Sequence, residues 1–334
     1  MIRSWFFAAF TVLVWGITFV NTRALLTDFS ALEIHVLRFG VAICALWGVE
    51  KISALVGGGK TRPPRCGLRD ELLFAGMGFF GVAVYQLLEN CAIHYTNASN
   101  VSILVALNPV ITALFAWTFG QGRRPGGFFF AGFLIAIAGV VMVSLDGISE
   151  FHFRPLGDVM AIGAMLSWGG YTILVGRVNA KGYPQIWVMR RVFLWALLMM
   201  VPFAIWGLMD SGRAALSGSF AVTLDGSANW TRFSRMPNLV NLGFLGVFAS
   251  ATCFVLWNLA CSALGVVRCT VALYLIPAVT VLFAFLFLDE TLTAVSAVGA
   301  ALTLAGVVVS DCGQRSRRFR KGPKNLSENG GEVK

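Results

Sequence analysis

Apolar residues fall along this chain in blocks of roughly 20, separated by short polar stretches. The blocks lie near 4–22, 31–50, 70–92, 97–119, 127–145, 156–176, 185–207, 238–262, 268–288 and 294–311. About 20 residues is the length of helix that crosses the hydrocarbon of a bilayer. The pattern therefore predicts ten membrane-spanning helices. Two linkers are long, 51–69 and 208–237, and the residues after Asp311 are polar and basic. The first block imitates a signal peptide, but Trp15-Gly16 interrupts it and no A-x-A cleavage site follows, so it is expected to remain as a span.

Composition agrees. Of 334 residues 57% are hydrophobic and 13% charged, and the mean hydropathy is +0.76. A soluble domain carries about 25% charged residues, and a disordered chain has low hydrophobicity. Both classes are excluded, and the expected fold class is an all-α polytopic membrane protein. The seven cysteines form no CxxC pair, so neither a disulfide framework nor a zinc site is expected. Cys91 and His94 have finger-like spacing, but no second pair accompanies them.

Charge supplies orientation. With the N-terminus inside, the inward loops and tail hold eighteen Lys and Arg residues and the outward loops hold five. The positive-inside rule then places both termini in the cytoplasm, in the inner or plasma membrane. The net charge of +10 follows from this topology, with no nucleic-acid partner needed, and the tail should attract anionic lipid.

The chain also repeats itself. Residues 109–116 read PVITALFA and residues 277–284 read PAVTVLFA. Asn90 precedes Pro109 by 19 positions, and Asn258 precedes Pro277 by 19. Trp15-Gly16 matches Trp168-Gly169, and Arg38 and Arg191 each follow their Trp by 23. The offset is 153 early and 168 later, the difference lying mostly in the 208–237 loop. Each unit holds five spans, so the second must enter the membrane from the other side. The expected organisation is a repeat over 1–147, an inverted repeat over 154–312 and a basic tail over 313–334. Inverted repeats mark secondary transporters, whose substrate sits near the midplane between the units.

These residues match a known pattern. Trp15-Gly16-Ile17-Thr18-Phe19, Leu37-Arg38-Phe39, Asn108-Pro109 and the Asp289–Thr293 link together resemble the EamA type of the drug/metabolite transporter superfamily. The first link, Gly120-Gln121-Gly122-Arg123-Arg124, departs from that pattern by lacking an acidic Gly-Glu pair. The resemblance implies a ten-helix carrier, often an exporter of amino acids or related metabolites.

Polar residues inside the spans are the candidate chemistry, because charge near the bilayer centre is costly. Arg38 and its repeat mate Arg191 either face a cavity for a carboxylate-bearing substrate or pin helices by bonding free carbonyls. Their positions near opposite faces favour the pinning role. Taking a carboxyl group out of water favours its neutral form. Glu89, whose repeat position is Trp257, is therefore the candidate carrier of a coupling proton, unless it lies at the interface. Trp15, Thr18 and Thr22 share one helical face. Trp168 and Tyr171 do the same in the sixth span, and Tyr85, Asn258 and Tyr274 add polar groups on other helices. Trp15 and Trp168 lie too deep for an interface belt, so these residues either line a small-molecule pocket or form a packed core.

Pro109 and Pro277 are candidate hinges or static bends, with Asn108 and Tyr274 placed to satisfy freed carbonyls. Gly132, Gly139, Gly299, Gly306 and the stripe Ala297, Ala301 and Ala305 suit close helix packing, and a homodimer through the fifth and tenth helices is one use for them. Gly57-Gly58-Gly59-Lys60 lacks the earlier P-loop glycine and the Ser or Thr after Lys, so no nucleotide or other cofactor is expected. No H-E-x-x-H or G-x-S-x-G is present. A secondary carrier for a small organic solute is the leading expectation, with a passive facilitator or channel as the alternative.

Overall fold

The computed structural model describes residues 2–56, 66–95, 101, 104–105, 108–120, 124–145, 155–210, 231–276, 278–279, 282–283 and 294–319. Pro277, the Asp289–Thr293 link, Gly57–Lys60 and the end of the basic tail lie outside them. Among the described residues there is no strand.

The chain begins with α1 (Ile2–Leu25) and α2 (Ala31–Val56). α3 (Leu68–Met77) passes through a π-helical segment, Gly78–Val84, directly into α4 (Tyr85–Tyr95). Then come α5 (Asn108–Thr118), α6 (Gly127–Leu145), α7 (Pro155–Asn179) and α8 (Gln185–Asp210). After a short α9 (Thr231–Ser234), α10 (Met236–Gly243) continues through a second π-helical segment, Phe244–Thr252, into α11 (Cys253–Leu264). α12 (Val266–Thr270), a 3₁₀ turn (Val271–Leu275) and α13 (Ala294–Phe319) complete it.

Among the described residues five stretches are long and apolar enough to cross a membrane: 31–55, 68–92, 156–179, 185–202 and 236–264. Four shorter apolar helices, 2–18, 127–139, 266–275 and 301–310, accompany them. Several helices outrun their apolar blocks, α2 to Val56 and α13 to Phe319, because a polar residue at an interface ends hydrophobicity without ending the backbone ladder.

The two π-helical segments overlap under the offset of 168, and each holds a glycine at the matched position, Gly78 and Gly246. A side chain at Gly78 would strike the Val192 carbonyl of α8; one at Gly246 would strike Val41 and the Arg38 carbonyl of α2. The 68–92 stretch thus presses closely on α8, and the 236–264 stretch on α2. Wider π winding frees a carbonyl, and hydroxyls answer nearby: Ser167 Oγ donates to the Phe80 carbonyl at 2.7 Å, and Thr252 Oγ1 to that of Val247 at 2.9 Å.

The expected small-residue faces meet each other within one chain. α6 and α13 pair along their length, with Gly132 against Gly306 and Ser310, and Gly139 against Gly299 and Thr303. Their glycines are covered within one chain, because a glycine groove lets a second glycine groove approach closely.

Both ends of the bundle are tied by charge. At one end, Ser30 and Glu33 exchange hydrogen bonds of 2.8 and 3.3 Å, a capping box that starts α2. Glu33 also receives both terminal nitrogens of Arg232, whose guanidinium lies over Phe29 and Phe233. Arg235 and Asn238 both bond Asp28. At the opposite end, Gly182 takes a positive φ of 71°, and the turn it makes brings Lys181 and Tyr183 onto Asp70. Beside them Arg191 pairs with Glu71, and Arg190 with Glu50.

Candidate functional site

A cavity of about 430 Å³ of atom-free space, its mouth included, opens in the middle of the bundle. The first half of the chain contributes Trp15 and Thr18 from α1, Arg38 from α2, Tyr85, Gln86 and Glu89 from α4, Val105, and Asn108 from α5. The second half contributes Trp168, Phe254, Leu273 and Ile276. Every charged or amide side chain of this lining therefore comes from residues 38–108, and the second half supplies aromatic and aliphatic surface.

Arg38 is buried and held from two sides. Its Nε donates to Ser250 Oγ at 2.5 Å, and an Nη donates to Gln86 Oε1 at 3.1 Å. Ser250 lies in the second π-helical segment and Gln86 just past the first, so one guanidinium joins both. Tyr85 donates its hydroxyl proton to Glu89 Oε1 at 2.8 Å, a bond between successive helical turns. Among the described residues no salt bridge joins Arg38 to Glu89, so cation and carboxylate face one cavity unpaired with each other.

Behind the lining stands an aromatic cluster. Trp15 lies edge-on to Trp168 with centroids 5.6 Å apart, and 5.2 Å from Trp257. Trp168 also contacts Tyr85 and Tyr171, both at 4.9 Å. Trp15 Nε1 donates to the Ala249 carbonyl at 3.0 Å, whereas Trp168 Nε1 is buried with no partner among the described residues. Asn108 Oδ1 is likewise buried without a partner among the described residues.

The expected site residues thus divide. Trp15, Thr18, Arg38, Tyr85, Trp168 and Glu89 come together at the cavity. Tyr171 lies a layer behind, its hydroxyl donating to Asn258 Oδ1 at 3.1 Å. Thr22 is buried further along α1 and is not in the lining. Tyr274 is buried beside Phe133, and its hydroxyl meets no carbonyl among the described residues. Arg191 is spent on Glu71 at the end of the bundle, with Trp187 under its guanidinium. Pro109 is the second residue of α5, just beside the cavity-lining Asn108.

Gln86, Ser250 and Phe254 are participants that the sequence reading passed over. A signal existed: adding the repeat offset of 168 carries Gln86 onto Phe254, Val105 onto Leu273 and Asn108 onto Ile276, all members of one lining.

The EamA-like transporter family profile matches residues 3–145 and again 155–310. The chain belongs to that family, within the drug/metabolite transporter superfamily. It is an integral membrane transporter, not an enzyme. A protein of Escherichia coli (strain K12) named "Probable amino-acid metabolite efflux pump" is 26% identical over 94% of this chain and 96% of its own. One of Streptantibioticus cattleyicolor named "Probable terminal-alkyne amino-acid exporter" is 28% identical over 90% of each chain. An uncharacterized transporter of Archaeoglobus fulgidus is 25% identical over 92% of this chain and 96% of its own. A solved crystal structure superposes with a TM-score of 0.66 at 18% identity, covering 93% of this chain and 98% of that one, which speaks for the fold alone.

Proposed function

We propose that this EamA-like transporter is a secondary carrier that exports a small amino-acid-like metabolite across the cell membrane by alternating access. In this reading ten spans form two inverted five-span repeats, with both termini in the cytoplasm. The observation that carries it is a mid-bundle cavity lined by both halves of the chain, with a cation and a carboxylate unpaired with each other and an apolar flank. Such a site suits a solute with a charged head and an apolar body. The names of the Escherichia coli and Streptantibioticus cattleyicolor relatives point to the same class. The two charge clusters at opposite ends would open in turn.

Proteoliposomes test the reading. A labelled amino acid should enter saturably and faster when the trans side holds the same solute. Flux that rises linearly with concentration and shows no counterflow would favour a passive facilitator or channel. Glu89 is the group we assign to proton coupling; Glu89→Gln should abolish the pH dependence of uptake. Reporter fusions at residues 1 and 334 should land on the same, cytoplasmic side.

A further inference from the structure

Two buried polar atoms on residues of the cavity lining have no hydrogen-bond partner among the described residues. Asn108 is 2% exposed and its Oδ1 lacks a hydrogen-bond partner; Trp168 is 3% exposed and its Nε1 lacks one too. Their neighbours are satisfied. Gln86 Oε1 accepts from Arg38, Glu89 Oε1 accepts from Tyr85, and Trp15 Nε1, the counterpart of Trp168, donates to a backbone carbonyl. A buried polar atom without a partner is destabilising, and such atoms are uncommon in a packed interior. Other buried atoms lack partners too, Trp187 Nε1 and Trp257 Nε1 among them, but Asn108 Oδ1 and Trp168 Nε1 are the two on residues of the cavity lining. One is an acceptor and the other a donor.

We propose that Asn108 and Trp168 read the substrate directly, Asn108 Oδ1 accepting a hydrogen bond from its amine and Trp168 Nε1 donating one to its carboxylate. This rests on the amino-acid reading above and adds the atoms that choose within that class. An amine fits better than a hydroxyl because the cavity holds a second acceptor, the Glu89 carboxylate. An ammonium group has three N–H donors to divide between two acceptors, and a hydroxyl has one. The carboxylate of the substrate falls to the Trp168 indole and to Arg38, and its side chain to Phe254, Leu273 and Ile276. A site built to bond a polar group rejects the analogue that lacks it, since its own atom is then left bare.

The test uses the purified full-length protein in detergent. Binding of leucine, methionine and phenylalanine is measured by titration calorimetry. For the one that binds, the α-hydroxy and des-amino analogues follow. Wild type should prefer the amine over the hydroxy analogue by about tenfold or more. Asn108→Leu should weaken the amine about tenfold and leave the des-amino acid within about twofold. Asn108→Asp keeps an acceptor and should retain the amine. Trp168→Phe should weaken the amine and des-amino ligands alike. If Asn108→Leu shows no melting transition, Asn108→Ser, which shortens the chain and removes the amide, gives the same readout. Should the Asn108 variants bind the amine as wild type does, the inference falls and the amino-acid reading stands. Should wild type bind none of the three, both fall.

Discussion

Asn238 donates a 2.8 Å hydrogen bond to Asp28, and at the far end of the bundle their repeat counterparts, Asp70 and Lys181, pair at 2.5 Å. Asp70 precedes Asn238 by 168 positions and Lys181 follows Asp28 by 153. One contact thus occurs twice, with the acid on the hairpin turn at one end and on the facing helix at the other. Each ties a turn between two helices to a helix of the other half of the chain, the α1–α2 turn to α10 and the α7–α8 turn to α3.

Exchanging the charges at the second contact should therefore be tolerated. Lys181→Glu alone places two acids together and should lower the melting temperature by a few degrees. Adding Asp70→Lys should restore most of it. The pair is partly exposed, and such pairs contribute about 1 kcal/mol or less. The measurement is thermal unfolding in detergent of the two single variants and the double.

Arg232 anchors the first contact more firmly. Its guanidinium bonds both oxygens of Glu33 and lies 4.7 Å from the Phe29 centroid, and Glu33 is buried. Arg232→Ala leaves that carboxylate without its cation, and hydrogen bonds to charged groups contribute about 1.5–3 kcal/mol. Arg232→Lys keeps the charge but not the planar fork, so it should fall between wild type and Ala in unfolding temperature.

Acid should leave this end closed through pH 5. The hydrogen bond from Asn238 holds the Asp28 carboxyl below its ordinary value of 3.8, with Arg235 and Arg232 acting in the same direction against desolvation. A lowered folded value means a contribution that is complete above 3.8 and lost only as pH falls through the folded value. Hydrogen exchange over 26–30 and 231–238 should keep its protection between pH 7 and pH 5. Asp28→Asn should show reduced protection across that whole range.

The paired glycine helices give a steric prediction. A side chain at Gly139 or Gly306 would run into backbone of the facing helix, which cannot move aside as a side chain can. Gly139→Leu and Gly306→Leu should abolish folded protein on size-exclusion chromatography. Gly40→Ala is the control: no atom lies within 4 Å of the added carbon, and helix propensity favours Ala by about 1 kcal/mol, so its melting temperature should hold or rise.

Much of this was legible in the residues, and for clear reasons. A bilayer demands apolar runs of fixed length, so helices such as α2 and α7 announce themselves. A duplication leaves paired landmarks, and Trp15 and Trp168 do meet at the cavity. The third dimension of a span is less legible, because a helix that is apolar all round carries no stripe to say which side faces a neighbour. Thr22, on the same face as Trp15 and Thr18, therefore falls outside the lining. Nor does composition distinguish Arg38, held inside by Ser250 and Gln86, from Arg191, whose partner Glu71 lies 120 positions away. The π-helical segments leave no trace in periodicity; only Gly78 and Gly246, at equivalent positions, hint at them.

The uneven lining of the cavity has an evolutionary corollary. The two family-matched halves do not share their tasks: the first gathers the ionic and amide chemistry, and the second brings one indole N–H with bulk and shape. Swapping Phe254, Leu273 or Ile276 for larger or smaller residues would then retune which solutes fit without disturbing how their heads are gripped. Descendants of one ancestor could diversify cargo by drifting in a single half.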